Sequence, residues 1–385
     1  MKKARVIAYY LPQYHPIPEN DRFWGKGFTE WTNVGKAKPL FRGHYQPRVP
    51  ADLGYYDLRL PEIREEQAKL AKEAGIEGFC YWHYWFGGGK ELLERPFNEV
   101  VESGSPDYPF CLGWANHTWS TRTWTSNKSR YKETIIAEQT YPGVGDYVQH
   151  YNTYKKAFKD SRYITVDGRL LFVVFDSTAI PDFGLFKKTW NELAREDGLK
   201  GFHFVGITEN FSVHDKAAGG KFRIIDKRKA AGHCYETVLS RGYDAVNSRG
   251  SNRAQVFANS FLWYYFKRFL QKAFNGGVVL RTKYSRIIRH YYVPEDKREN
   301  VYPTIIPNFD RSPRAGKNTN NLWHNSNPEL FGKMIKKALD IVKDKQPEHK
   351  IIFLQSWNEW GEGNYMEPDL KFGKKYIETL ANLLK

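Results

Sequence analysis

Cysteine is scarce in this chain, and the scarcity sets a first limit. Three cysteines (Cys80, Cys111 and Cys234) occur in 385 residues. That odd number, without metal-like spacing, argues against a disulfide framework and fits a reducing compartment. Long hydrophobic runs are missing too, and no stretch approaches the roughly 20 apolar residues of a membrane span. The N-terminal "MKKARVIAYYLPQYHP" has about six apolar residues before Pro12, short of the roughly 7–15 of a signal-peptide core. A soluble, cytoplasmic protein is the expectation. No dinucleotide fingerprint or phosphate loop follows the first apolar run; "FGGGK" (86–90) lacks the spacing of either and reads as a loop. No His, Cys, Asp or Glu cluster has the spacing of a dedicated metal site, so neither metal nor other cofactor is expected.

Acidic residues are absent from one long segment. Between Ala245 and Pro294 there is no Asp or Glu, whereas Arg249, Arg253, Lys267, Arg268, Lys272, Arg281, Lys283, Arg286 and Arg289 are basic. Aromatics interleave with these bases in "FLWYYFKRFLQKAF" and "YSRIIRHYY". The segment reads as a helical excursion on the main fold with a solvated basic face. Alternatively, it is a surface for anionic lipid headgroups or a phosphate-linked substrate. No nucleic-acid module accompanies it, and no nucleic-acid partner is expected.

What is abundant is aromatic and basic. Trp, Tyr and Phe make up 16% of the residues and the net charge is +16. Aromatics build cores, and they also stack on the flat apolar faces of sugars and bases. Eight short apolar runs recur: 5–11, 76–82, 109–115, 170–176, 202–208, a weaker 243–247, 302–308 and 351–357. Amphipathic segments such as "PEIREEQAKLAKEAG" separate them. Continuous apolar strands alternating with helices predict a parallel sheet covered on both faces. Eight of them predict an α/β fold, a (β/α)8 TIM barrel, as one domain over 1–385 with a basic insertion at about 245–295.

Active sites of such barrels lie at the C-terminal ends of the strands. Those ends supply Tyr10, Gln13 and His15, then Trp82 and His83, then Trp114 and Asn116. Asp176 ends the fourth run and Glu209 the fifth; Asp310 and Arg314 follow the seventh. The eighth opens "SWNEWGEG", with Trp357, Asn358, Glu359, Trp360 and Glu362. Carboxylates, amides, imidazoles and flat rings suit a polyol ligand. They also suit glycosidic chemistry, which uses one carboxylic acid at the leaving oxygen and a carboxylate at the ring. Glu359 and Glu362 are three apart, about 5–6 Å between Cβ atoms on a helical turn, compatible with the roughly 5–5.5 Å carboxyl separation of retaining glycosidases. The competing reading makes Ser356 to Glu359 a capping box opening the last helix. His15 and His83 could equally be core histidines, Asp176 and Glu209 caps or ion-pair partners, and the tryptophans core.

The motifs "AYYLPQYHPIPENDRFWGKGFTEWTNV" (8–34), "GFCYWHYWF" (78–86), "WANHTW" (114–119), "PNFDRSPR" (307–314) and "SWNEWGEG" (356–363) resemble the WbsX family of bacterial polysaccharide-locus proteins. The resemblance runs from about residue 4 to the C-terminus. That family is related to glycoside hydrolase family 99. The resemblance implies a (β/α)8 barrel and a retaining mechanism on α-mannoside-like substrates. It puts a base acting on the substrate's own 2-hydroxyl at Glu359, and an acid and then base at Glu362. WbsX-type proteins are commonly labelled glycosyltransferases of O-antigen or capsule synthesis.

Three functions remain open at this level. One is a metal-free retaining glycosidase or transglycosidase using Glu359 and Glu362. Another is a sugar-nucleotide-dependent transferase, against which stands the absence of any Asp-x-Asp pair. The third is a non-catalytic glycan-binding barrel. The expected partner is a glycan or lipid-linked oligosaccharide, with peripheral contact to anionic membrane through 245–294.

Overall fold

The computed structural model describes residues 3–121, 134–211, 230–274 and 276–385. Its centre is a closed barrel of eight parallel strands: β1 (Arg5–Tyr10), β2 (Gly78–Trp85), β3 (Phe110–Trp114), β4 (Arg169–Val174), β5 (Phe202–Glu209), β6 (Ala245–Arg249), β7 (Val301–Ile305) and β8 (Ile351–Leu354). Each strand pairs with its neighbours in sequence. β8 returns to β1 with Arg5 opposite Ile351, and β1 pairs with β2 with Ile7 opposite Gly78. All eight apolar runs form barrel strands. The weak sixth run is included, with Ala245 opposite Val205 and Val246 opposite Val301.

Helices surround the barrel, and most of them cover it with an apolar stripe. They are α1 (Pro61–Glu73), α2 (Arg95–Ser103), α3 (Val144–Phe158), α4 (Phe183–Glu196), α5 (Ala230–Leu239), α6 (Ser251–Ala258), α7 (Phe261–Ala273), α8 (Tyr284–His290), α9 (Pro328–Val342) and α10 (Lys375–Leu384). Much of the aromatic content is consumed here. Trp190 of α4 sits fully buried among Phe158, Phe186, Phe172 and Phe202, with ring centroids 4.7–5.5 Å away. Inside the barrel, Tyr9 stacks on Trp82 at 4.6 Å and on Phe353 at 5.3 Å. Its hydroxyl donates to Asn247 Oδ1 at 2.8 Å, and Asn247 Nδ2 donates to Thr304 Oγ1 at 2.9 Å. The buried polar atoms of this layer therefore satisfy one another.

The acid-free segment begins in β6 and fills the β6–β7 connection with α6, α7 and α8; Asn275 within it lies outside the described residues. Among the described residues no helix is long and apolar enough to cross a membrane.

Candidate active site

A cavity of about 640 Å³ opens at the C-terminal end of the barrel, and residues at or just beyond all eight strand ends line it. Gln13 follows β1, Trp82 and Tyr84 end β2, His117 and Trp119 follow β3, and Phe175 follows β4. Glu209 and Arg249 end β5 and β6. Arg311 and Arg314 come from the loop after β7, and Glu359 and Glu362 from the loop after β8.

The last loop is a hairpin and not the start of a helix. Asn358–Glu359 pairs antiparallel with Asn364–Tyr365, and one 3-10 turn, Trp360–Glu362, joins them. The capping-box alternative is therefore not realised; the next helix starts at Lys375. Contacts of three of its residues hold the hairpin in place. The Asn358 side chain accepts from Leu11 N–H at 2.8 Å and donates to Leu11 C=O at 3.0 Å. Trp360 stacks on Tyr365 at 3.7 Å and donates through Nε1 to Glu367 at 2.6 Å. Asp310 N–H donates to the Glu362 carbonyl at 2.6 Å. Gly361 is required by close approach: a Cβ there would lie 1.7 Å from Glu30 Oε1.

Arg314 joins the two glutamates. One Nη donates to Glu359 and the other to Glu362, each at 2.5 Å, while Nε and Nη2 bind Glu30 at 3.1 and 2.7 Å. Glu30 and Arg314 are buried, at 0% and 7% side-chain exposure. Glu362 also pairs with Arg311 at 3.0 Å. Charge therefore divides the pair. Burial lifts Glu359 to about 7, with Arg314 opposing and Glu362 and Glu30 adding to the rise. At Glu362 burial also pushes upward, but Arg311 and Arg314 outweigh it, and the carboxyl falls below the ordinary glutamate range. The difference follows from Arg311, Arg314 and, less strongly, Arg249 acting on Glu362, against Arg314 alone at Glu359. Across the cavity, burial lifts Glu209 to about 7.

Six of the sequence-derived candidates line the cavity: Gln13, Trp82, Glu209, Arg314, Glu359 and Glu362. The other ten lie away from it, and strand parity explains several. Side chains alternate between barrel interior and helix layer, so Tyr9 and Trp82 point in while Tyr10 and His83 point out. Tyr10 donates to Gln67 of α1 at 2.7 Å. His83 Nε2 lies 2.9 Å from His150 Nε2, and burial holds it near 3. Trp114 donates to the Trp85 carbonyl at 2.8 Å. His15 packs its ring against the Pro12 carbonyl at 3.1 Å. Asn116 ties the loops together through Asp176 N–H at 2.8 Å, and Asp176 closes its own turn on Thr178 at 2.7 Å. Asp310 accepts from Gln46 and meets His44, both at 2.8 Å. Trp357 is fully buried against Phe79, and Asn358 and Trp360 brace the hairpin. Among the described residues no group of three or more His, Cys, Asp or Glu side chains is gathered that could hold a metal ion.

A family model described as glycosyltransferase WbsX matches residues 6–380. The chain belongs to the WbsX family. WxcX of Xanthomonas campestris pv. campestris, an uncharacterised protein, is 31% identical over 393 residues, covering 99% of this chain and 50% of that protein. The chain spans about half the length of the curated relatives it matches. In overall shape this WbsX-family chain is similar to a glycoside hydrolase-like protein, with TM-score 0.57, 14% identity, 100% of this chain and 95% of that one. It is also similar to the GH99 endo-alpha-mannosidase of Bacteroides thetaiotaomicron in complex with bis-tris-propane, with TM-score 0.54, 13% identity, 100% and 96%. Those two likenesses concern the fold.

Glu30 and Arg249 are among the residues of this site that the WbsX-family sequence does not single out. Glu30 sits in "FTEWTNV", a helix-like stretch where a buried acid gives no periodic signal. Arg249 stands at a strand end like Glu209, but in the sequence it is also the first base of the acid-free segment, which masks its place at the pocket. In the fold its guanidinium lies over Tyr9 at 5.5 Å and Phe175 at 5.4 Å.

Proposed function

We propose that this protein is a carbohydrate-active enzyme of cell-surface polysaccharide metabolism. It cleaves or transfers at an α-glycosidic bond by a retaining mechanism, with Glu359 and Glu362 as the reacting pair and a glycan or lipid-linked oligosaccharide as substrate. The observation that carries this reading is the shared guanidinium. One arginine presents two carboxylates to the same cavity while their proton affinities are held apart, as an acid and a base require. Trp82 and Phe175 offer apolar faces to a sugar ring, and Gln13, Asn252 and Asn321 offer amides to its hydroxyls.

Two assignments within the pair make opposite predictions. Position in the family-99 motif puts the base on Glu359 and the acid on Glu362. Charge in the free site favours the reverse, since Glu359 holds its proton near neutrality and Glu362 is ionised. The family description favours a second reading, transfer from a sugar nucleotide.

An α-glycosyl fluoride panel, with and without acceptor glycans and with chelator present, tests all of these. Fluoride leaves without protonation, so the variant lacking the acid still releases fluoride in the first step, with only the later step slowed by loss of its base role, and loses activity on poor leaving groups. The variant lacking the base loses both. Retention in Glu359→Gln supports the charge-based assignment, and retention in Glu362→Gln supports the positional one. Silence of the parent protein on every fluoride, with turnover of a nucleotide sugar, overturns the glycosidase reading.

A further inference from the structure

Of the acid-free segment, α6 and α8 turn their apolar residues inward; Ala254, Val256, Ile287 and Ile288 are buried. α7 does the opposite. Leu262 is 80% exposed, Trp263 51%, Tyr265 40%, Phe266 48% and Phe269 66%, and Phe274 just beyond the helix is 66% exposed. At about 100° per residue these side chains fill one arc of roughly half the helix circumference. Tyr264 and Gln271, on the opposite side, are buried. Lys267 borders the arc on one edge, its ammonium 5.2 Å from the Trp263 ring, and Arg268 and Lys272 border it on the other.

Soluble monomers rarely leave so continuous an apolar face in water. An outward apolar arc edged by bases, on a stretch with no acid, is complementary to one kind of surface. Its rings enter the headgroup boundary and its ammonium and guanidinium groups meet lipid phosphates. We propose that α7 docks this protein, lying in the interface plane, on an anionic lipid bilayer. The inward side of the same helix supplies Tyr264 to the wall of the cavity, so docking would hold the cavity about one helix diameter from the lipid surface. That a lipid-linked glycan is then the substrate rests on the glycosidic reading; the docking itself does not.

Co-sedimentation with phosphatidylcholine vesicles, with and without phosphatidylglycerol, tests it. The expected result is binding only where phosphatidylglycerol is present, weakened by added salt. Phe266→Ser with Phe269→Ser lowers the bound fraction about tenfold or more. A blue shift of tryptophan emission on binding disappears in Trp263→Phe. The double variant keeps the parent's melting temperature and its turnover of a soluble glycosyl fluoride, because neither ring lines the cavity. Vesicle binding is read without turnover, so failure of the glycosidic reading leaves this test intact. Three outcomes overturn the proposal: no preference for phosphatidylglycerol vesicles, parent-like binding by the double variant, or self-association in solution that the double variant abolishes. The last would assign the face to a second copy of the chain.

Discussion

Replacing Arg314 with methionine removes the cation that Glu30, Glu359 and Glu362 share while roughly preserving side-chain length. Breaking a buried ion pair by deleting one partner costs about 3–5 kcal/mol, because the other charge stays buried. Glu30 is the carboxylate that bears most of this loss. It is fully buried, and its only other side-chain hydrogen bond among the described residues is from Asn33 at 3.3 Å. Glu359 and Glu362 face the cavity and can recover water. For 385 residues the unfolding entropy near the transition is about 0.8 kcal/mol/K, so the melting temperature should fall by about 4–6 °C at neutral pH. The sign of the pH dependence follows from Glu362. Its folded carboxyl is depressed, so in the parent it contributes stability that is present above the ordinary glutamate value and lost as pH falls through the folded value. The Glu362 share of the gap is therefore fully present at about pH 7 and shrinks on acidification, so the gap is wider at about pH 7 than at about pH 4. Adding Glu30→Gln to the variant should return part of the loss, with a coupling of about 0.5–3 kcal/mol in a double-mutant cycle. Thermal unfolding by circular dichroism at both pH values reads all four proteins. A melting temperature unchanged in Arg314→Met, or lowered equally at both pH values, refutes the reasoning.

Four further outcomes follow from the same geometry. Either glutamate variant, Glu359→Gln or Glu362→Gln, should lower turnover of a substrate with a poor leaving group by about 10²–10⁴-fold; Glu359→Gln should not lower the melting temperature, whereas Glu362→Gln should lower it at neutral pH because its ion pairs are lost. Glu209→Gln should raise the melting temperature at about pH 8 and leave it unchanged at about pH 4. The folded Glu209 carboxyl is raised to about 7, so the stability it contributes is present below the ordinary glutamate value and lost as pH rises through about 7. Gly361→Ala should abolish turnover and lower stability together, since the added methyl group would occupy the position of Glu30 Oε1. Asn358→Ala should leave the Leu11 N–H and C=O unpaired at a cost of about 2–4 kcal/mol. It should lower kcat more than it raises KM, because it loosens the hairpin that carries both glutamates.

The barrel was determined by the sequence. Eight apolar runs separated by amphipathic segments leave few packings that bury both faces of a sheet, and each run became one barrel strand, down to the weak 243–247. The end of the barrel that holds the pocket was equally legible, and Glu359 and Glu362 were among the strand-end groups that the fold brings to the cavity. Parity was not legible. Along "YWHYW" every residue is aromatic, so nothing in the pattern distinguishes Trp82, which faces the cavity, from His83, which pairs with His150 in the helix layer. The tertiary structure decided that by the stagger of neighbouring strands. It also decided the partners. Glu30 and Arg314 are 284 residues apart and meet only when the barrel closes. On that closure depends which glutamate keeps its proton. Burial and the count of nearby guanidiniums set proton affinity, and both are properties of the folded surroundings.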